Sequence, residues 1–317
     1  MSDPDDEFSF LAAQAAEIGV DAPLPRGERM TLPLADGRTL SALRYDPRIE
    51  DGGSDRPVVT FLHGAGLNAH TWDATILALG LPALAIDLPG HGDSSWREDA
   101  AYVGRVLAPD VVAGLEAWTD RPQILVGHSL GGLTAAAVAA DRPDLVDELV
   151  VIDITPGIDL NGGAAELVAF FAGPTDWASR EDLVERALAF GLGGTREATE
   201  RGVYFNSRRR PDGRVEWKHH FAHLAAAAAN GEADAAPAGS DAIAAILGDA
   251  GWRDLAAVSA PVTLIRGERG FLTEADVADF HARVPGADIE TVPTGHNVQE
   301  EQPRALGERL RAFARTP

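Results

Sequence analysis

The sequence contains no cysteine and a single lysine, Lys218, among its 317 residues. The lack of cysteine excludes disulfides, thiolate nucleophiles and Cys-bound zinc, so that metal chemistry would need histidine or carboxylate ligands. No apolar run reaches the ~18 residues that a membrane span needs, and residues 1–7 are acidic where a secretory signal would be basic. These absences predict a cytoplasmic protein with no membrane-spanning segment.

Positive charge is also scarce. The chain has 49 acidic and 27 basic residues, for a formal net charge of -22. Such a surface repels phosphate backbones and anionic lipids, which argues against nucleic acid or a membrane as a partner. The 45 % hydrophobic composition excludes disorder of the whole chain and suffices for a large core.

Short apolar runs alternate with helical stretches along most of the chain. Residues 30–45 alternate around Asp36-Gly37, a dipeptide typical of a tight hairpin turn, which predicts two antiparallel strands at the start. Later runs of four or five apolar residues, separated by alanine-rich amphipathic segments, indicate parallel strands covered on both faces. The runs lie at 58–62, 83–86, 124–126, 149–152, 262–265 and 289–292.

This alternation is interrupted between residues 157 and 255. The segment contains helical patterns at 164–171, 180–190 and 220–229 but no strand run, so we interpret it as an inserted helical cap. Residues 225–240 are alanine-rich with glycine and proline, a low-complexity stretch that predicts a helix tail and a loop. The predicted domains are an acidic extension (1–28), a core (29–156 and 256–317) and the cap (157–255).

A nucleophile motif follows the strand at 124–126. The residues Gly127-His128-Ser129-Leu130-Gly131 form a G-x-S-x-G pattern, followed at once by a helix rich in small residues. A sharp strand-to-helix turn forces the serine into a strained backbone conformation, so the flanking glycines must leave it room. The helix N-terminus then adds a favourable field for a developing oxyanion.

Three further strand ends carry polar residues. The first strand after the hairpin runs into His63-Gly64-Ala65-Gly66, and the next ends in residues 87–94, which begin Asp-Leu-Pro-Gly-His-Gly. Near the C-terminus, Gly295-His296 follows the last apolar run. A histidine that follows a serine elbow in chain order is a candidate general base.

From about residue 29 to residue 313, the chain resembles the α/β-hydrolase-fold serine hydrolases through these four motifs. The resemblance implies an α/β fold with a mostly parallel central sheet, flanking helices and an inserted cap. It also implies that Ser129 is the nucleophile and His296 the base, with no cofactor. The backbone N–H groups of Leu130 and Ala65 would form the oxyanion hole.

The sequence departs from the family pattern at the third member of the triad. Many members carry an aspartate about three residues after the glycine that ends the seventh strand, where this chain has Gly270. A smaller branch of esterases takes the acid after the sixth strand, and residues 151–156, which include Asp153, resemble that branch. Asp153 is therefore the predicted acid, with Glu268 as the nearest rival. Asp87 and the helix-start residues Glu274 and Asp276 are expected to be structural.

Other chemically capable residues have weaker context. His219 and His223 have the i, i+4 spacing of zinc ligands, but nothing completes a motif, so a solvated or lid-contacting face with no metal is the favoured interpretation. Residues 208–210 are three arginines, which favour a solvated loop over a site for an anionic substrate tail. Aromatic residues of the cap are candidates for the acyl pocket or for packing of cap against core: Trp177, Trp217 and Phe221.

The function favoured by the sequence is a carboxylesterase that cleaves a small or medium acyl ester through an acyl-enzyme on Ser129. Carbon–carbon bond hydrolases and perhydrolases share the fold and keep the serine, so both remain alternatives. A non-catalytic small-ligand binding protein is the alternative from another class. Neither the physiological substrate nor the oligomeric state can be read from the sequence.

Overall fold

A computed structural model describes residues 6–47, 56–158, 173–190, 194–229 and 248–314. The predicted helix at 164–171 and most of the alanine-rich stretch after residue 229 lie outside the described residues.

The core is an eight-stranded sheet with the order β1-β2-β4-β3-β5-β6-β10-β11. Strand β2 is antiparallel to both of its neighbours, β1 and β4, and all other neighbouring strands of this sheet are parallel. The hairpin turn falls at Gly37, whose φ of 86° suits glycine. The strands of this sheet are β1 (Arg26–Pro33), β2 (Thr39–Asp46), β3 (Val59–Leu62), β4 (Ala83–Asp87), β5 (Gln123–His128), β6 (Val146–Ile152), β10 (Val262–Gly267) and β11 (Asp288–Val292).

Helices cover both faces of the sheet. Alternate residues of each parallel strand join two different apolar clusters, so that Leu62 and Leu125 belong to one cluster while Phe61 and Val126 belong to the other. Strands buried on both faces explain the continuous apolar runs in the sequence. The α-helices are α1 (Leu11–Glu17), α2 (Asp73–Leu79), α3 (Gly104–Trp118), α4 (Leu130–Asp141), α5 (Arg180–Ala189), α6 (Arg196–Asn206), α7 (Phe221–Ala229), α8 (Trp252–Ala257), α9 (Glu274–Arg283), α10 (Val298–Glu301) and α11 (Pro303–Phe313).

The expectation of a purely helical cap is wrong. Besides α5, α6 and α7, the region between residues 157 and 255 contains a three-stranded antiparallel sheet with the order β7-β9-β8. Its strands, β7 (Asp176–Trp177), β8 (Ser207–Arg209) and β9 (Val215–Trp217), have only two or three residues each. Runs this short show no period-2 pattern.

The boundary expected at residue 28 also needs correction. Strand β1 begins at Arg26, and residues before it pack on the core through α1 and through the ion pair of Glu7 with Arg29. Among the described helices, none is both long and apolar enough to cross a membrane.

Candidate active site

The turn between β5 and α4 has the geometry of a strained nucleophile elbow. Ser129 has φ 52° and ψ -121°, a conformation that costs energy for a residue with a side chain. The flanking glycines are required by space, because a Cβ at Gly127 would overlap the carbonyl of Gly131, and one at Gly131 would overlap the carbonyl of Leu62. The sequence Gly-x-Ser-x-Gly thus makes the tight passage from strand to helix possible.

Backbone hydrogen bonds link the elbow to the ends of two neighbouring strands. The N–H of Ser129 donates to the carbonyl of Ile152 at 3.0 Å, and the N–H of Asp153 donates to the carbonyl of Ile265 at 2.8 Å. Asp153 therefore directly follows the strand beside the nucleophile strand. This is the carboxyl edge of the sheet, where sites of open α/β folds assemble.

Asp153 contacts His296 directly. The Nδ1–H of His296 donates to Oδ2 of Asp153 at 2.7 Å, and the Asp153 side chain is completely buried. Two backbone donors also hold the carboxylate, the N–H of Gly267 at 2.9 Å and the N–H of Phe271 at 2.8 Å. Three charge-assisted hydrogen bonds compensate for burying this acid. Asp153 has φ 49°, so the turn that carries this carboxylate is a second strained turn of the site.

The rival carboxylates are placed elsewhere. Glu268 is exposed on the loop after β10. Asp87 is buried and accepts from the N–H groups of Ala69 and Asp93 and from Arg29. Burial opposes its ionisation, but the charge of Arg29 and the hydrogen bonds from the N–H groups of Ala69 and Asp93 outweigh burial and hold the pKa of Asp87 below its usual value. Asp87 therefore stabilises its loop.

The other two rivals, Glu274 and Asp276, are first-turn residues of α9. The side chain of Thr273 accepts from the N–H of Asp276, and the carboxylate of Asp276 accepts in return from the N–H of Thr273, which is a capping box. Glu274 pairs with Arg266 at 2.6 Å. Both carboxylates thus have the structural roles that the sequence predicted.

The two candidate oxyanion donors are backbone N–H groups of residues close to the elbow. Leu130 is the first residue of α4, and Ala65 follows β3. Within the described ranges, the backbone N–H of neither residue donates to an acceptor of the chain. Gly64 lies against the elbow, since a Cβ there would lie 3.2 Å from Cβ of Ser129. Within the described ranges, both N–H groups therefore lack an acceptor of the chain, and that of Leu130 directly follows Ser129.

His63 and His128 are buried, neutral supports of these loops. The Nδ1–H of His63 donates to the carbonyl of Gly64 at 2.8 Å, and its Nε2 accepts from the N–H of Leu88 at 3.0 Å. The Nε2–H of His128 donates to the carbonyl of His296 at 3.0 Å. Burial lowers the pKa of His63 and, with the neighbouring His296, lowers that of His128 well below the ordinary value. These groups fix backbone positions rather than move protons.

One aromatic contact of His296 was not foreseen from the sequence. The ring of Phe271 stacks on the imidazole of His296 with centroids 3.6 Å apart and planes 10° apart. The ring of His128 lies against the same imidazole at 4.5 Å. No sequence signal marks Phe271, because the contact depends on the ends of β10 and β11 meeting in space.

The predicted pocket aromatics lie in the cap sheet and the helix that follows it. Trp177 belongs to β7 and lies under the guanidinium of Arg186, whereas Trp217 ends β9 and is buried. Phe221 begins α7 and contacts the rings of His91 at 5.3 Å and Tyr102 at 5.4 Å. Phe221 thus packs cap against core, and its role in a pocket stays a prediction.

The cap histidines also contact the core. His219 and His220 precede α7 rather than lie on it, and His220 stacks on Trp96 with centroids 4.5 Å apart. His220 also shares a hydrogen bond of 2.7 Å with Tyr102. Burial, with the nearby His223, lowers the pKa of His219 to about 3 and that of His220 to about 4. Across the described residues, no group of three or more His, Asp or Glu side chains could hold a metal ion.

The three consecutive arginines belong to the cap sheet or border it. Arg208 pairs with Glu216 at 2.7 Å, and Arg210 pairs with Asp176 at 2.8 Å, while Arg209 is exposed. Arg208 and Arg209 are solvated as the sequence favoured, but they lie in strand β8 rather than in a loop.

Comparison with known proteins agrees with this geometry. The profile of the alpha/beta hydrolase family matches residues 61–309, a span that includes the elbow, Asp153 and His296. The chain belongs to the alpha/beta hydrolase family. The resemblance and the fold class expected from the sequence are thereby confirmed.

An esterase of Mycobacterium tuberculosis, Rv0045c, is 38% identical over 98% of this chain and 96% of its own length. A crystal structure of that esterase superposes with a TM-score of 0.77, covering 98% of each chain. The mouse sn-1-specific diacylglycerol lipase ABHD11 is 37% identical over 33% of this chain and 35% of its own. The structure of an E-2-(acetamidomethylene)succinate hydrolase has a TM-score of 0.74 at 22% identity, covers 92% of this chain and 100% of its own, and supports the fold alone.

Proposed function

We propose that this alpha/beta hydrolase is a serine carboxylesterase with Ser129 as nucleophile, His296 as general base and Asp153 as the orienting acid. The observation that carries the proposal is the 2.7 Å hydrogen bond between His296 and the buried Asp153, at the sheet edge that bears the strained serine. Ester hydrolysis as the class of activity accords with full-length similarity to an esterase.

Acylation begins when Nε2 of His296 accepts the proton of the Ser129 hydroxyl while Oγ attacks the ester carbonyl. The negative charge moves to the carbonyl oxygen, which the N–H groups of Leu130 and Ala65 stabilise. The tetrahedral intermediate collapses as the alkoxide leaves and takes the proton from His296. The products of this half-reaction are an alcohol and an acyl-enzyme on Ser129.

Deacylation repeats the same proton transfers with water. His296 accepts a proton from the water as it attacks the acyl carbonyl, and then returns that proton to Oγ of Ser129 as the acid leaves. Asp153 stays ionised throughout, and its hydrogen bond keeps the proton on Nδ1, which leaves Nε2 free to act as the base. Its two backbone donors keep the carboxylate in place while the imidazolium forms and disappears.

The preferred substrate class is a small or medium acyl ester, with Trp177, Trp217 and Phe221 as pocket candidates. Carbon–carbon bond hydrolysis and perhydrolysis would use the same serine and base, and non-catalytic ligand binding would not require either. The strained φ of Ser129 favours catalysis over binding, because strain of this kind has no use in a passive pocket. We also propose a cytoplasmic enzyme with no nucleic acid partner, since the net charge of -22 repels phosphate.

A fluorophosphonate probe and a series of p-nitrophenyl esters test this proposal together. The wild-type protein should be labelled rapidly and should hydrolyse esters, while Ser129→Ala should lose labelling and lower kcat by a thousandfold or more, as in serine triads. Ser259→Ala, which removes an exposed hydroxyl, is the matched control and should change neither. More than about a tenth of the wild-type kcat in Ser129→Ala would exclude the serine mechanism.

The acyl-length series separates the alternatives. An esterase should show a maximum of kcat/KM at one chain length, whereas a carbon–carbon hydrolase should prefer a vinylogous diketone to every ester. A protein that turns over none of these substrates and is not labelled would be a binding protein.

A further inference from the structure

The loop after β10 contributes two adjacent residues, Gly270 and Phe271, to the site. Gly270 occupies the position where many relatives carry the acid, and a Cβ at this position would overlap the carboxylate of Asp153. The carboxylate of Asp153, which follows β6, therefore fills the space that a side chain at position 270 would need. The next residue, Phe271, donates its backbone N–H to Oδ2 of Asp153 at 2.8 Å.

The side chain of the same residue covers the base. The Phe271 ring is nearly parallel to the imidazole of His296, with centroids 3.6 Å apart. The ring is half-buried and packs against the apolar core, which limits its own rotation. A flat ring at van der Waals distance prevents the imidazole from tilting out of the plane in which Nδ1 faces Asp153.

The backbone of His296 is held independently of this ring. The Nε2–H of His128 donates to the His296 carbonyl at 3.0 Å, so that the main chain of the base is anchored to the elbow. The hydrogen bond to Asp153 fixes one atom of the imidazole but allows the ring to rock about the line between them. The ring of His128 also lies 4.5 Å from the imidazole but at an angle of 51°, whereas the Phe271 ring stacks nearly parallel to it and so restrains the plane of the imidazole.

We propose that Phe271 is a positioning residue, whose ring sets the plane of the His296 imidazole and shields the hydrogen bond between His296 and Asp153 from water. The inference rests on the triad proposed above. When His296 accepts the serine proton, the aromatic face also attracts the resulting cation. The dipeptide Gly270-Phe271 thus stands where many family members carry the acid. Gly270 leaves room for Asp153, and Phe271 covers His296.

The test compares Phe271→Leu with Phe271→Tyr. Leucine keeps the backbone N–H and an apolar side chain but removes the flat ring, whereas tyrosine retains the ring. Phe271→Leu should lower kcat by about 10- to 100-fold with KM changed less than about threefold, as expected when a catalytic group is misplaced. Phe271→Tyr, which keeps the ring, should have a kcat within about threefold of the wild-type value.

A spectroscopic measurement separates positioning from a general structural role. The low-field proton resonance of the hydrogen bond between His296 and Asp153 should exchange with water faster in Phe271→Leu than in wild type or Phe271→Tyr. Phe280→Leu, which removes a buried ring of α9 packed on Trp252, is the matched control for lost core packing. It should leave both kcat and the proton exchange rate unchanged at a temperature where the variant is folded.

Three outcomes would overturn the proposal: wild-type kcat in Phe271→Leu, a change confined to KM, or equal losses in Phe271→Leu and Phe280→Leu. If Phe271→Leu does not fold, Phe271→Met gives the same comparison with a flexible side chain. Fluorophosphonate labelling of the wild type distinguishes a failure of the proposed triad from a failure of the positioning role. Absence of labelling contradicts the triad itself, whereas labelling with an unaffected Phe271→Leu contradicts only the positioning role.

Discussion

At the scale of single residues, the site combines an elbow formed by adjacent residues with contacts between loops that are distant in the chain. The position of Ser129 could be predicted from its flanking glycines, because the elbow lies entirely within five consecutive residues. Asp153 could be proposed because Gly270 leaves the usual position without an acid. Phe271 could not be proposed, since its stacking on His296 depends on the relative placement of two loops that are 25 residues apart in the chain.

The space at Gly270 gives a direct prediction at this scale. Gly270→Ala should displace the Asp153 carboxylate, because the added Cβ would overlap it, and should lower kcat by at least about tenfold through loss of alignment. Gly286→Ala is the matched control, since a Cβ at that glycine has no atom within 4 Å. Steady-state kinetics on one ester measures both variants, and an unaltered kcat in Gly270→Ala would contradict the geometry of the site.

At the scale of elements, the parallel strands and the opening hairpin could be predicted because apolar runs and Asp36-Gly37 have clear local signals. The cap sheet could not, because its strands of two or three residues have no periodicity. Contacts between cap and core likewise could not be predicted from the sequence. His70, which had no motif context, stacks on Phe205 of α6 with centroids 3.7 Å apart.

His70 bridges two carboxylates beneath this cap helix. It lies 3.0 Å from Asp73 and 3.2 Å from Glu7, and Glu7 in turn pairs with Arg29. Burial disfavours its charge, but the two carboxylates outweigh burial and raise the pKa of His70 to about 8. Asp73 also accepts a hydrogen bond from Tyr45, so the cluster is connected to the core.

This cluster predicts that α6 loosens at alkaline pH. Because the folded pKa lies above the reference value of ~6.5, the stabilisation is complete below that value and is lost as the pH rises through about 8. Hydrogen exchange in Arg196–Asn206 should therefore accelerate, beyond the intrinsic effect of pH, between pH 6.5 and 9. His70→Gln should abolish the dependence, whereas His281→Gln, on an exposed face of α9, should retain it. Equal pH dependence in His70→Gln and wild type would contradict this account.

At the scale of the whole molecule, the sequence predicted the layered α/β architecture because both faces of its strands are apolar. The net charge of -22 affects solubility and association and does not determine the fold. The interior, by contrast, holds several neutral histidines, of which the sequence placed three in loops and two at a cap helix. They are His63, His91, His128, His219 and His220.

These buried histidines predict acid sensitivity. Their folded pKa values lie below the reference of ~6.5, so the unfolded chain binds more protons as the pH falls, and the free energy of unfolding decreases with it. His219, with a pKa of about 3, would by itself cost on the order of 2 kcal/mol at pH 5. Denaturant unfolding at pH 7.5, 6 and 5 measures this slope. Stability that is constant or rises on acidification would show that these side chains are not neutral in the folded state.

In the proposed triad, the acid follows β6 and orients His296. Comparing kcat of Asp153→Asn with that of Glu268→Gln on one p-nitrophenyl ester tests it most directly, since both variants remove one carboxylate and keep the side-chain size. Asp153→Asn should lower kcat by about 10⁴-fold, as loss of the orienting carboxylate does in serine triads, while the exposed Glu268→Gln should stay near wild type. The reverse order, or an Asp153→Asn enzyme with nearly full activity, would contradict the account.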